Sequence, residues 1–74
     1  AAVGGTSDET VDALIGCLAD DAAEVRIAAI EELAQFGPAA QRAIPALTTA
    51  TRDSRSAVRE AATEALKRVQ PKPH

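Results

Sequence analysis

The feature that most constrains the fold is a stretch of sequence that the chain carries twice. The segment "VRIAAIEEL" at 25–33 returns as "VREAATEAL" at 58–66, at an offset of 33 residues. At this offset, nine residues are identical between 11–36 and 44–69. Self-similarity at a period of about 20–50 residues is typical of supersecondary units that stack and share a core. The chain is therefore predicted to contain two copies of one structural unit.

Each copy has the spacing of two helices joined by a turn. Apolar residues recur at helical intervals in four segments, and Asp20-Asp21 and Asp53-Ser54 mark turns between them. The predicted apolar stripes are Val11, Leu14, Ile15, Leu18; Val25, Ala29, Leu33, Phe36; Ile44, Leu47, Ala50; and Val58, Ala62, Leu66, Val69. We predict an all-α fold, an α-α superhelix in which four helices form two helical hairpins.

Capping and helix-breaking residues predict where the helices begin and end. Residues 6–9 have capping-box spacing, and Asp21 has the same spacing relative to an acidic residue three positions later. Gly37 suits the end of the second helix. Pro45 lies inside the third apolar pattern and is predicted to kink that helix within 41–45.

These signals divide the chain into four parts. We expect a flexible N-terminal segment at 1–5, a first repeat at 6–36, a second repeat at 37–69 and a disordered tail at 70–74. The chain begins with "AAVGG" rather than with methionine, which is consistent with a fragment or a processed product.

Composition limits the size of the core. About 46% of the 74 residues are apolar, but most of these are alanine, and Phe36 is the only aromatic residue. Because alanine buries little area, and burial contributes about 25 cal/mol per Å², the core is predicted to be thin. We therefore expect the fold to be supported by more chain, another copy or a partner.

Charge is distributed unevenly along the chain. Residues 1–36 carry eight acids and one base, a net charge of −7, whereas 37–74 carry three acids and seven bases, a net charge of +4. One interpretation is head-to-tail self-association, in which the acidic end of one copy meets the basic end of another. The alternative is an ordinary solvated helix surface, and the sequence leaves both open.

Several classes of function receive no support from the sequence. Cys17 has no neighbouring base and is expected to be a small core residue, and His74 is the only histidine. We therefore predict a protein that is not an enzyme, with no catalytic residue, cofactor or metal site. An acidic first half and the lack of aromatic residues for base stacking, with Phe36 alone in the chain, argue against nucleic-acid binding. No apolar run is long enough for a membrane span, so we expect a soluble chain, whose compartment the sequence leaves open.

The repeated motifs resemble those of HEAT repeats, of the short kind found in phycobilisome-lyase-like proteins. The resemblance covers residues 10–69 and depends on "AIPAL" and "AVREAATEAL", with a proline, Pro45, in the first helix of the second unit. The remaining matches are the turn acids Asp20 and Asp53 and the helix openings Val25-Arg26 and Val58-Arg59. The first unit departs from the pattern, because Asp12 stands where the proline would be.

The resemblance implies a structural ladder and a binding face. The ladder would join the turn carboxylates to the arginines one turn inside the following helices, and its residues are Asp20, Arg26, Asp53 and Arg59. In HEAT proteins the second helix of each unit lines the concave surface on which partners bind. The candidate partner-binding residues are Ile27, Ile30, Glu31, Ala34, Thr63, Glu64 and Lys67. Alternatively, Ile27 packs on a neighbouring helix.

The predicted function is a non-catalytic module for protein–protein interaction, or scaffold, that presents a rigid helical surface to an unidentified protein partner. We expect it to be part of a longer solenoid or of a multi-subunit assembly. A second hypothesis also comes from the resemblance: a subunit or fragment of a bilin-lyase-like factor that attaches chromophores to light-harvesting proteins.

Overall fold

The computed structural model describes residues 6–70, with side chains from residue 8 onward. Its α-helices are α1 (Thr6–Cys17), α2 (Ala23–Phe36), α3 (Ile44–Ala50) and α4 (Ser56–Val69), and a 3-10 helix (Gly37–Ala43) precedes α3. Residues 6–70 contain no β-strand. The prediction of an all-α fold built from helical hairpins is confirmed. The side chain of Thr6, the predicted flexible segment and the predicted tail beyond Gln70 lie outside the described residues.

The helices form two hairpins that lie side by side. α1 and α2 form the first hairpin, α3 and α4 form the second, and the most extensive contact in the fold joins α2 to α4. The second helix of one hairpin therefore lies beside its counterpart in the other. Two residues separated by the repeat offset of 33 are equivalent, and they lie on the same side of their respective helices.

The core lies between the helices and is built from small side chains. Its largest fully buried side chains are Val11, Ile30, Leu33, Leu47, Val58 and Val69. Six alanines are also buried: Ala29, Ala40, Ala43, Ala50, Ala62 and Ala65. Because alanine has only a methyl group, these positions let helix backbones approach closely. Leu14 and Leu66 pack against this core from its edge and are partly buried.

The buried stripe of α2 differs from the predicted one. Val25 was expected in the core but is 37% exposed, whereas Ile30 is fully buried. α2 packs against both α1 and α4, so its buried side is centred on Ala29, Ile30 and Leu33. The equivalent of Val25 in the second hairpin, Val58, has no exposed surface. The prediction for Val25 was wrong because it treated the two repeats as having the same surroundings.

Asp20 and Asp53 organise the turns before α2 and α4. The Asp20 carboxylate accepts the Ala22 amide at 2.8 Å, and the Asp53 carboxylate accepts the Arg55 amide at 2.9 Å. Ala22 and Arg55 occupy the N-cap positions, with extended backbone and no hydrogen bond from a capping side chain. The prediction that Asp21 caps α2 is therefore wrong. Asp20 accepts an amide within the turn, and the N-cap is Ala22, one residue after Asp21.

The two hairpins are joined by the 3-10 helix Gly37–Ala43. Gly37 follows α2 with a φ of 62°, a conformation that glycine adopts without strain. Ala40, with φ −101° and ψ 20°, interrupts the helical backbone, and α3 begins at Ile44 with Pro45 in its first turn. The predicted kink is therefore a break between two helices that lies before Pro45. The first turn is where proline fits, because its missing amide would have no partner within the helix.

Candidate functional site

Arg26 links the two hairpins at their turns. Its Nη1 donates to the carbonyl oxygens of Asp20 and Asp21, at 2.7 and 3.0 Å, so the preceding turn holds the guanidinium in place. Nη2 donates to Oδ1 of Asp53 at 3.2 Å, and Nε lies 2.9 Å from Oδ2. Nε is buried and its N–H is not aligned for a hydrogen bond, so that contact is one of charge. Because each side chain is only 15% exposed, solvent screens this pair less than a surface pair.

Arg59 repeats this local geometry in the second hairpin. Its Nη1 donates to the carbonyl oxygens of Asp53 and Ser54, at 2.8 and 3.1 Å. Among residues 8–70, neither Arg59 nor Asp20 has an ion-pair partner. The four residues of the predicted ladder therefore share one turn geometry, and Arg26 to Asp53 is the pair that joins the two hairpins.

The surroundings of Asp53 favour its charged form. The hydrogen bond from the Arg55 amide holds the pKa of Asp53 below its ordinary value, and partial burial acts in the opposite direction. The hydrogen bond and charge of Arg26 lower the pKa further, as does the charge of Arg59. Since a lowered carboxyl pKa means that the anion is stabilised, the contact between the hairpins is an ion pair at neutral pH.

A groove of about 610 Å³ lies between α2 and α4. Its lining residues are Ile27, Glu31, Ala34, Gln35, Ala57, Glu60, Ala61, Glu64, Ala65 and Arg68. The apolar members are one isoleucine and four alanines, which together make a shallow floor. Short side chains leave room beside the two helix backbones, and this explains why the groove stays open although α2 and α4 are in contact.

The polar residues of the groove are predominantly acidic. Glu31 of α2 and Glu60 and Glu64 of α4 face a single base, Arg68. All four side chains belong to exposed residues, so they are solvated and available to a partner. An apolar floor between carboxylates favours a ligand that combines small apolar groups with positive charge.

Six of the seven predicted partner-binding residues are at least partly exposed, and they fall into three groups. Ile27, Glu31, Ala34 and Glu64 line the groove. Thr63 lies in a neighbouring depression together with Thr51, Arg59, Glu60 and Glu64. Lys67 is exposed, and its Nζ lies 3.6 Å from the carboxylate of Glu64. Ile30 belongs to neither surface.

Ile30 was predicted to contact a partner, but it is fully buried in the core. A buried side chain cannot contact a partner, so Ile30 is removed from the candidate site. The prediction depended on the polarity of the equivalent residue, Thr63, which is exposed, whereas Ile30 has no exposed surface. Ile27 is partly buried and packs against the core, and it also lines the groove.

Sequence reasoning missed five of the six α4 residues that line the groove: Ala57, Glu60, Ala61, Ala65 and Arg68. Three pairs of equivalent positions line the groove, 27 and 60, 31 and 64, and 35 and 68, and the prediction included both members only at 31 and 64. The alanines at 57, 61 and 65 also line it, whereas their equivalents at 24, 28 and 32 do not. The signal that could have found this wall is the stripe of residues at helical spacing, 57, 61, 64 and 68, along α4.

Other chemistry has little basis in the residues that the structure describes. Within this part of the chain, no three histidine, cysteine, aspartate or glutamate side chains cluster as a metal site would require. Cys17 is a free, partly buried thiol. No helix in 6–70 combines the length and the apolar character needed to cross a bilayer.

Comparison with known proteins defines the family. Searches of curated proteins and of solved structures gave no significant match. A family model for HEAT repeats matches residues 1–69, almost the whole chain. HEAT repeats generally mediate protein–protein interactions as scaffolds and are typically non-catalytic. The duplicated sequence, the paired helical hairpins and this match lead to one conclusion: the chain belongs to the HEAT-repeat family.

Proposed function

We propose that this chain is a non-catalytic protein-interaction module that binds a protein segment in the groove between α2 and α4. The observation that carries the proposal is the groove itself, in which an apolar floor is flanked by exposed carboxylates. The scaffold role of HEAT repeats in general supports the same class of function.

The lining of the groove indicates the chemistry of the bound segment. Alanines at 34, 57, 61 and 65 admit small or medium apolar side chains and leave little depth for large aromatic ones. Glu31, Glu60 and Glu64 favour lysine or arginine at the edges of the ligand. An amphipathic helix has this pattern when apolar residues at i, i+3 or i+4 and i+7 lie between basic flanks. The expected partner is therefore a protein that presents a basic amphipathic helix.

The module is proposed to work within a longer solenoid or a multi-subunit assembly. Among the fully buried side chains of residues 8–70, none is larger than isoleucine or leucine. Small domains with thin cores are marginally stable, and contact with neighbours adds buried area. The partly uncovered side of the first hairpin, where Val25 is 37% exposed, is a place where such contact would add stability.

Site-specific crosslinking tests the groove directly. A photoreactive amino acid replaces Ala57, which is exposed and lines the groove, and Ala39, which is exposed in the 3-10 helix, serves as the control site. In extracts of the source cells, the groove position is expected to capture a defined partner that the control position does not. The captured protein is then purified, and its affinity for the intact chain is measured by calorimetry.

Charge reversal then separates groove binding from general attraction. Glu31→Lys changes the groove, and Glu9→Lys makes the same charge change at an exposed position on α1. We expect Glu31→Lys to weaken binding about tenfold and Glu9→Lys to weaken it less than about twofold, since only the first removes a facing charge. Equal losses in both variants, or equal crosslinking from both sites, would contradict the proposal.

A further inference from the structure

The outer sides of the two stacked hairpins carry complementary halves of one ion pair, Asp20 on the first hairpin and Arg59 on the second. At the junction inside the molecule, Arg26 is held by two turn carbonyls and meets the Asp53 carboxylate, which in turn accepts an amide of its own turn. Arg59 is held by two turn carbonyls in the same way, and Asp20 accepts the Ala22 amide in the same way. Each half is therefore already in the geometry that the formed pair shows, but the two halves lie at opposite ends of the molecule.

The side of the first hairpin that carries Asp20 is also incompletely covered. Val25 is 37% exposed, whereas its equivalent Val58 has no exposed surface. Leu14 is partly buried, whereas its equivalent Leu47 is fully buried. The second hairpin has the first hairpin beside it, and within residues 6–70 the first hairpin has no such neighbour on its other side. A further hairpin in that place would cover these side chains.

We propose that copies of this chain associate head to tail, with Arg59 of one copy paired to Asp20 of the next. The contact would continue the stacking that already joins the two hairpins of each copy, so each junction would resemble the internal one. Repetition of such a heterologous contact produces an open linear array rather than a closed dimer.

Charge favours a second copy as the occupant of this side. Residues 1–36 carry a net charge of −7 and residues 37–74 a net charge of +4, so unlike charges meet when copies stack in this direction. A second pair follows from equivalence. Ala34 and Ala65 line one groove at the internal junction, and their equivalents are Lys67 and Glu32, which have opposite charges.

The side of the second hairpin that faces away from the first hairpin is polar, and this limits the strength of the association. Thr63, Glu60 and Lys67 stand where the first hairpin has Ile30, Ile27 and Ala34, so the junction between copies lacks the apolar ridge of the internal one. Glu60 would also lie near Glu24, as their equivalents Ile27 and Ala57 share the groove. The association is therefore weak, concentration-dependent and sensitive to salt.

Sedimentation velocity of the intact chain over a range of concentrations tests the proposal. At about 20 mM NaCl we expect reversible association whose constant falls about tenfold by about 500 mM NaCl, because salt screens the charges that join the copies. Asp20→Asn should weaken the association about tenfold at low salt, since it removes the charge while its side-chain oxygen still accepts the Ala22 amide. Asp21→Asn is the matched control: it makes the same charge change one residue away and should weaken association less than about twofold.

Complementary charge reversal gives an independent readout. The variants Asp20→Arg and Arg59→Asp, each checked for helical structure by circular dichroism, should be monomeric alone, because like charges meet at every junction. An equimolar mixture should associate, because every junction between the two kinds of chain pairs unlike charges. A mixture of folded variants that stays monomeric, equal effects of Asp20→Asn and Asp21→Asn, or a wild-type chain that is monomeric at all concentrations would overturn the proposal.

Neither member of the proposed ion pair, Asp20 or Arg59, lines the groove, so each proposal can fail without the other. Glu31→Lys changes the groove and leaves Asp20 and Arg59 intact. A wild-type chain that binds a basic helix but does not self-associate would refute the stacking of copies and leave the groove proposal intact.

Discussion

The two hairpins carry the same residues in different surroundings. Val25 and Val58 are equivalent, yet the first is 37% exposed and the second fully buried. Arg26 and Arg59 have the same contacts to their turns, yet of these two arginines only Arg26 pairs with a carboxylate of residues 8–70. The difference shows that a repeated residue acquires its energetic role from its place in the stack, because burial and ion pairing need a neighbour on the correct side.

Some equivalent positions carry different residues in the two hairpins, and there the covered position is apolar and the uncovered one is polar. The side of α2 that meets the second hairpin carries Ile27 and Ile30, whereas α4 has Glu60 and Thr63 at the equivalent positions. A polar outer side is typical of the terminal unit of a repeat array. The second hairpin therefore has one apolar side that is covered by the first hairpin and one polar side that tolerates solvent.

The largest contrast is expected between Ile30→Thr and Thr63→Ile. Ile30 is fully buried, so its replacement leaves a cavity and a buried hydroxyl, and should lower the free energy of unfolding by about 3 kcal/mol. Thr63 is exposed, and its replacement should change the free energy of unfolding by less than about 0.5 kcal/mol. Urea denaturation followed by far-UV circular dichroism measures both, and comparable losses would contradict the difference between the two sides.

A smaller contrast is expected between Val58→Ala and Val25→Ala. Removing two methyl groups from the fully buried Val58 should lower the free energy of unfolding by about 2 kcal/mol. The same change at the 37% exposed Val25 should cost less than about 0.5 kcal/mol. The experiment needs dilute protein at high salt, so that association between copies does not cover Val25. Equal losses under these conditions would mean that Val25 is buried in the monomer.

The arginines provide the third contrast. Arg26→Ala removes the ion pair to Asp53 together with two hydrogen bonds to its own turn, and should lower Tm by roughly 5–10 °C. Arg59→Ala removes only two such hydrogen bonds, and should lower Tm by about 3 °C. Thermal unfolding by circular dichroism distinguishes them. A larger effect at Arg59 would show that the pair between the hairpins adds little.

The smallest effect is the response to acid. Because the folded-state pKa of Asp53 is lowered, its contribution to stability is complete above the unfolded-state pKa of about 4 and is lost as pH falls through the folded-state value. Asp53→Asn should therefore be less stable than wild type at neutral pH, and the gap should narrow below about pH 4. Urea titrations at a series of pH values measure this gap. A gap that stays constant down to the acid limit would contradict the role of the charge.

Sequence reasoning succeeded where a feature depends on residues that are close in the chain. The repeat offset predicted the number of helices and the positions of both turns, and Gly37 marked the end of α2. The errors at Asp21 and Pro45 were displacements by a few residues, since several neighbouring residues can cap a turn or begin a helix. The candidate site was predicted less completely: four of its predicted residues line the groove, but Ile30 was wrong and, apart from Glu64, the α4 wall was missed.

The sequence by itself determined that this chain forms two similar helical hairpins with an alanine-rich core, because helical periodicity, turn chemistry and internal repetition are local properties. Only the tertiary structure decided which copy of each repeated residue is buried, which arginine finds a carboxylate and which helix sides face each other across the groove. These outcomes depend on how α2 and α4 are rotated and placed against each other. Packing between helices sets that arrangement, and the sequence of a single repeat does not contain it.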